Sequence, residues 1–271
     1  MRTSAAAPFA VDPVRGTARD RLAALCDDFA GNDTGRSVAV GGLPDVGDIV
    51  GVRIEDARPG ASVLKLPLVA TVLAHAHAGL LDLTTTVAVR SLQASQWPGV
   101  VDALAGDTLL SLYDLCSLSI VTSDNPCADF LCRLVGLDAV NRWMRTVGCS
   151  AESCLAAGYG DDDIARRGRH NILTAVDAVV LLRRVYAMDY LRPLRHFLCN
   201  SVRNQRIPRF LDDGTVVAHK TGSLAGVVND VGVIELAKGP VIAVFLCQNQ
   251  LDVDAAEGDV ARTARAICQA I

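Results

Sequence analysis

Strand-like runs occupy both ends of this 271-residue chain and helical runs occupy its middle. That order constrains the fold more than any single residue does. Residues 13–30 carry Leu22, Leu25, Cys26 and Phe29 at spacings of three and four, the period of an amphipathic helix. Residues 37–43 and 48–54 are rich in β-branched side chains and bounded by glycine and proline, which predicts two short strands. Helical patterns then fill 62–78, 110–119, 128–135, 138–147 and 174–186, with Gly79, Gly136 and Gly148 as stop signals. Beyond Val202 the grammar changes: 215–220, 228–236 and 240–247 read as strands and 252–270 as a closing helix. The two ends can pair into one sheet. The expected fold is therefore α+β, an antiparallel sheet flanked by the terminal helices beside an all-helical subdomain. The expected division joins 1–55 with 200–271 as the α/β part and leaves 56–199 as the helical part, with the site of chemistry between them.

Apolar residues make up 51% of the chain and charged residues 21%, ample for a core and too apolar for disorder. Aromatics are only 4%, so Leu, Val, Ile and Ala must fill that core. A net charge of −4 argues against nucleic acid or an anionic membrane as partner. The longest uncharged apolar run, 66–81, contains Pro67, His75 and His77 and falls short of the ~20 residues a membrane span needs. The nine cysteines sit mostly among apolar neighbours, and the pairs Cys127/Cys132 and Cys149/Cys154 lack zinc-site spacing, so buried thiols and no metal are expected. The first residues lack the apolar core of a secretory signal, and with free thiols this points to the cytoplasm.

Three polar islands interrupt the apolar patterns. In the first, Ser62-Val63-Leu64-Lys65, a serine opens a helix and a lysine follows one turn later on the same face. Burial beside Leu64, Leu66 and Leu68 would lower the lysine pKa until it could take the serine proton. An N-cap serine with a solvated lysine explains the same letters. The second island, Ser123-Asp124-Asn125, reads either as a turn or as a proton relay with an amide for a substrate. The third, His219-Lys220-Thr221-Gly222-Ser223, offers a cation, two hydroxyls and an unobstructed backbone along a strand, or simply an edge strand entering a turn.

Taken in order, S-x-x-K, S-D-N and K-T-G form the signature set of the penicillin-recognising serine enzymes. The text around each island agrees, and the chain resembles the class A β-lactamases and penicillin-binding proteins over residues 15–271. The resemblance implies Ser62 as nucleophile, Lys65 as base for acylation, Ser123 as proton relay to the leaving nitrogen and Lys220 as the cation that tunes it. It also implies Asn125 against the substrate amide, Thr221 and Ser223 against its carboxylate beside Gly222, and an oxyanion hole from the backbone N–H groups of Ser62 and Ser223. No cofactor is implied. Some family members hold the carboxylate with an arginine after the third motif, where this chain has none. Others use one upstream, and Arg206 fits that pattern.

Two departures follow. The family's deacylating Glu-x-x-x-Asn is missing from the short stretch between Gly148 and Asn171, whose lone glutamate, Glu152, has Ala156 in the asparagine position. Asp161, Asp162 and Asp163 offer substitute carboxylates there. Cys116 matches a cysteine that is bridged in some relatives, but its partner position holds Val69, so no bridge forms. The expected function is a serine hydrolase that forms an acyl-enzyme on a small β-lactam, D-amino-acid peptide or related acyl donor and deacylates slowly. The alternatives are an intracellular acyltransferase, peptidase or esterase with the same chemistry, and a non-catalytic β-lactam or peptide binder.

Overall fold

The structure, a computed structural model, describes residues 17–43, 49–92, 97–160 and 171–271. Helix α1 (Ala18–Ala30) begins at Thr17, whose side chain and that of Asp20 cap each other's backbone. Strands β1 (Arg36–Gly42), β2 (Val50–Val52) and β3 (Arg58–Pro59) follow, then a tight turn of 3₁₀ helix, Ala61–Leu64, running into α2 (Lys65–His77). Strands β4 (Thr86–Ala88) and β5 (Leu109–Ser111) pair with each other ahead of α3 (Leu112–Val121), α4 (Asn125–Val135) and α5 (Leu137–Thr146). Strand β6 (Ile172–Leu173) leads to α6 (Ala175–Ala187) and α7 (Arg192–Cys199). The chain closes with β7 (Val217–Leu224), β8 (Val227–Ile234), β9 (Val241–Cys247) and α8 (Val253–Ala270).

The two ends do pair. Five strands form one antiparallel sheet in the order β2-β1-β9-β8-β7, with β1 seated on β9 from Arg36 opposite Cys247 to Gly42 opposite Val241. Every residue of β8 and β9 is buried because both faces of the sheet are covered. Val241, Ala243, Phe245 and Cys247 face α1 and α8 with Phe29, Val260 and Ile267. Ile242, Val244 and Leu246 face the helical core, where α6 reaches the sheet through Val179 and Arg183 against Gly41 and Gly42. Helix α2 runs through the middle of that core, buried on all sides from Lys65 to Leu73.

Several boundaries differ from the sequence expectation, each for a local reason. Residues 110 and 111 belong to β5, because Ser111 caps α3 in a reciprocal bond with Asp114. Asp124 caps α4, which therefore starts at Asn125 rather than 128. Strand β7 continues through Gly222 and Ser223 to Leu224, and the turn falls at Ala225 and Gly226. The strand expected at 48–54 is limited to β2. Residues 13–16 of the first expected helix lie outside the described residues. Helix α7 was absent from the sequence reading, although Leu194, Phe197 and Leu198 give it a buried stripe and Pro193 suits its first turn. All nine cysteines are free, Cys116 among them; six are buried, Cys154 and Cys268 are partly so, and Cys199 is exposed. Burial pushes the Cys116 and Cys247 thiols up to about 12, which leaves them un-ionised and unreactive. No described helix is long and apolar enough to cross a membrane.

Phe245 meets Phe29 edge to face at 5.0 Å between ring centres, linking the central strand to α1. Phe245→Ala should lower unfolding free energy by about 3–5 kcal/mol, read as a lower urea midpoint at unchanged slope.

Candidate active site

The first island lies where the 3₁₀ turn meets α2. Ser62 is partly exposed on that turn. Ala61 before it has a positive φ of 47°, strained for a residue with a side chain, which bends the chain so that Ser62 precedes the helix rather than lying within it. Lys65 is fully buried at the first turn of α2. Its Nζ donates to the Ser123 carbonyl at 2.7 Å and to Asn125 Oδ1 at 2.5 Å, and lies 3.3 Å from Ser123 Oγ. Burial lowers its pKa from the usual lysine value to about 7, against the opposing charge of Asp124.

The second island closes on it from the loop between α3 and α4. Ser123 also has a positive φ, 62°. That conformation turns the Ser123 carbonyl and hydroxyl toward the same lysine. The loop is fixed by Asp124, whose carboxylate accepts from Cys127 N at 3.0 Å and Val101 N at 3.2 Å. The sequence reading gave Asp124 no role, yet it ties the α4 cap to the segment before β5.

The third island comes from β7, the edge strand nearest the 3₁₀ turn. Lys220 Nζ donates to Ser123 Oγ at 2.9 Å and to the Thr221 carbonyl at 2.8 Å. Burial, and then the charge of Lys65, hold its pKa well below the lysine range. Gly222 has a packing reason to be glycine: a Cβ there would stand 3.0 Å from the Gly60 carbonyl and 3.2 Å from Ala61 Cβ. The third island therefore touches the turn that carries Ser62. Lys65, Ser123, Asn125 and Lys220 thus meet through hydrogen bonds, and Gly222 brings β7, with Thr221 and Ser223, against the turn that carries Ser62.

Arg206 departs from its expected place. It is buried, and all five of its N–H groups are used within the protein. Nε and Nη2 bond Glu257, Nη1 bonds the carbonyls of Gly222 and Asn229, and Nη2 also donates to Ser223 Oγ at 2.6 Å. None is left for a substrate carboxylate. Around it stand three more groups the sequence did not single out. Asp230 accepts from Ile207 N at 3.0 Å and sits 3.0 Å from His219 Nδ1, fixing the residues beside Arg206 and Lys220 together. Asn229 ties β3 to β9 by donating to Pro59 O and accepting from Cys247 N. Glu257 on α8 supplies the counter-charge.

Glu152 is exposed on a turn. Asp129 accepts from Tyr159 N and Gly160 N and pairs with Arg133. Asp161, Asp162 and Asp163 lie outside the described residues. Among the described residues no cluster of three or more His, Cys, Asp or Glu side chains could hold a metal.

The chain matches the sequence model of the Beta-lactamase enzyme family over residues 17–271. It belongs to that family. The extended-spectrum beta-lactamase PER-1 of Pseudomonas aeruginosa is 28% identical over 230 residues, which cover 77% of this chain and 73% of that protein. A beta-lactamase from Sphaerobacter thermophilus is 27% identical, with a TM-score of 0.83 over 93% of this chain and 97% of its own. A mutant of PBP-A in an acyl-enzyme complex with penicillin G shares the fold at 18% identity, with a TM-score of 0.79 over 93% and 95% of the two chains. The beta-lactamase fold accounts for the sheet order and the central helix alike.

The contact of β7 with the Ser62 turn is testable. Gly222→Ala should displace the turn by a few tenths of an ångström and slow reaction with a penicillin about 10–100-fold. The loss of stability should stay within about 1–3 kcal/mol by urea denaturation.

Proposed function

We propose that this protein is a serine hydrolase that opens β-lactam or related amide bonds by forming an acyl-enzyme on Ser62, and that it releases the acyl group slowly. The observation that carries this reading is the shared hydrogen bonding of Ser123 Oγ, 2.9 Å from Lys220 Nζ and 3.3 Å from Lys65 Nζ. A lysine whose pKa is near 7 is substantially neutral at neutral pH and has a lone pair for a proton. In this reading Lys65 removes the Ser62 proton as Oγ attacks the carbonyl carbon. Ser123 then delivers a proton to the leaving nitrogen and recovers one from Lys65, so the relay resets. Lys220 holds the Ser123 hydroxyl in place. The backbone N–H groups of Ser62 and Ser223 receive the developing oxyanion. Asn125 Oδ1 is engaged by Lys65, which leaves its amide nitrogen as donor to the substrate.

Arg206 acts through Ser223 in this scheme. By donating into Ser223 Oγ it leaves the serine's own proton for a substrate carboxylate, with Thr221 beside it. The active site is read as lying between 1–55 with 200–271 on one side and 56–199 on the other.

Slow release rests on a different observation. No carboxylate of the described residues has a bond to Lys65, whose neighbour on one side is the ring of Tyr159. Without a positioned base for water, deacylation loses a factor of about 10²–10⁴. The same environment favours transfer to an acceptor other than water as the second reading.

Intact-protein mass spectrometry tests the scheme. Penicillin should add its full mass to the protein at Ser62, persist for many turnovers' time, and give a hydrolysis burst followed by a slow steady rate. Ser62→Ala should abolish the adduct with the fold intact. Rapid turnover without an adduct would overturn slow release, and an adduct on another residue would overturn the nucleophile. The pH dependence follows from the lysine. A base works only when unprotonated, so stopped-flow acylation rates should rise about tenfold per pH unit below about 7 and level off above it.

A further inference from the structure

Helix α4 carries Asn125 and Asp129 four residues apart, hence on one face. Asn125 accepts from Lys65 Nζ. Asp129 accepts from the backbone N–H groups of Tyr159 and Gly160, at 3.2 and 3.1 Å, and so fastens the segment 158–160 to the helix. A Cβ on Gly158 would stand 2.5 Å from the Asp129 carboxylate, so only glycine lets the chain wrap this closely. The result is that the Tyr159 ring lies with its centre 4.6 Å from Lys65 Nζ, within cation–π range.

We infer that Tyr159 is a positioning residue for the lysine base: its ring face stabilises the ammonium that Lys65 becomes on taking the Ser62 proton, and Asp129 holds the ring there. The role deepens the acyl-serine reading given above and rests on it for its catalytic meaning. Burial keeps the phenol pKa well above its ordinary value, so the ring stays neutral and retains its electron-rich face. The other groups around Lys65 are polar or charged in place: Ser123 and Asp124 from the loop, Asn125, Cys127 and Cys132 from α4, Lys220 from β7 and Arg203 from the segment after α7. Of these only Asp124 carries a charge that favours the ammonium, while Lys220 and Arg203 oppose it. Besides the oxygen acceptors of Ser123, Asp124 and Asn125, the neutral ring favours the protonated form without adding a second carboxylate to the site.

The ring could instead act as an apolar wall, and the two roles have opposite signs. A wall lowers the lysine pKa by excluding water, so its removal raises the pKa. A cation–π face raises it, so its removal lowers the pKa. The test is a titration of the Lys65 side chain by NMR in lysine-labelled protein without substrate. Tyr159→Leu, which keeps apolar bulk but loses the ring, should move the midpoint down by about half to one and a half pH units. Tyr159→Phe should leave it in place. Asp129→Ala, which releases the segment without touching the ring, should move it in the same direction as Tyr159→Leu. It also serves if that variant does not fold. A midpoint that rises or stays fixed in folded Tyr159→Leu or Asp129→Ala overturns the assignment. The same proteins, mixed with penicillin, should show the plateau of the acylation rate falling about tenfold in Tyr159→Leu and recovering in Tyr159→Phe. Failure of the wild type either to form an adduct or to turn penicillin over would overturn the acyl-serine reading alone, since the titration decides the place of Tyr159 without a substrate.

Discussion

Two buried lysines converge on one hydroxyl, and the rest of the structure depends on keeping them there. Lys65 and Lys220 are both completely buried, and Ser123 Oγ accepts from both. Burying one ammonium costs several kcal/mol even after relaxation, and two within reach of the same oxygen repel. The arrangement survives because it need not hold two full charges. Burial lowers both pKa values, and carbonyls of Ser123, Asp124 and Thr221 satisfy the N–H groups that remain. The burial that disfavours the ammonium is also what, in the proposed scheme, frees Lys65 to act as a base. The energetic cost of burial and the chemical use of the site are one fact seen twice.

Such a site must be held by groups that do not themselves react. Asp124 fixes the loop beneath Ser123, and Asp230 fixes Ile207 and His219, hence the neighbours of Arg206 and Lys220. Asn229 spans from Pro59 to Cys247, locking the approach to the Ser62 turn onto the central strand. Arg206 turns the charge of Glu257 on α8 into the orientation of a hydroxyl on β7. Asp124, Arg206, Asn229 and Asp230 are each buried with their partners supplied, the condition under which a buried network adds rigidity.

The motifs were legible in the sequence because each is local. A serine and a lysine one helical turn apart, or a Lys-Thr-Gly on a strand, carry their meaning within four residues. The sheet was legible because β-branched runs stood at both ends with helices between. The supporting residues were not, for the opposite reason. Asp230 and Glu257 look like any surface carboxylate until strand register and helix packing bring them to His219 and Arg206. Arg206 was noticed for its charge, yet its function could not be read without knowing that every donor is spent on carbonyls, Ser223 and Glu257. Tyr159, between two glycines, read as loop; only its distance to Lys65 gives it a place. The end of β7 was cut short because Gly222 and Ser223 resemble a turn, whereas glycine is there to clear the Gly60 carbonyl.

In the proposed scheme one fold separates two half-reactions. Under that scheme acylation begins with a neutral Lys65 and, once Ser123 has passed its proton to the leaving nitrogen, ends with Lys65 neutral again. The segment after α5 passes no proton in it and contributes only the ring of Tyr159 beside the lysine. Release of the acyl group differs only in its nucleophile: water must be held at the carbonyl, desolvated and deprotonated, and each of these needs a polar anchor. In this chain the segment 158–160 brings an aromatic ring to the lysine, and its backbone occupies the Asp129 carboxylate of α4. In the proposed scheme an aromatic face keeps the proton chemistry that forms the ester and offers a water molecule little to hold. Within the same scheme it is that segment, and not the three motifs, that decides whether the ester waits for water or meets a nucleophile that brings its own binding groups.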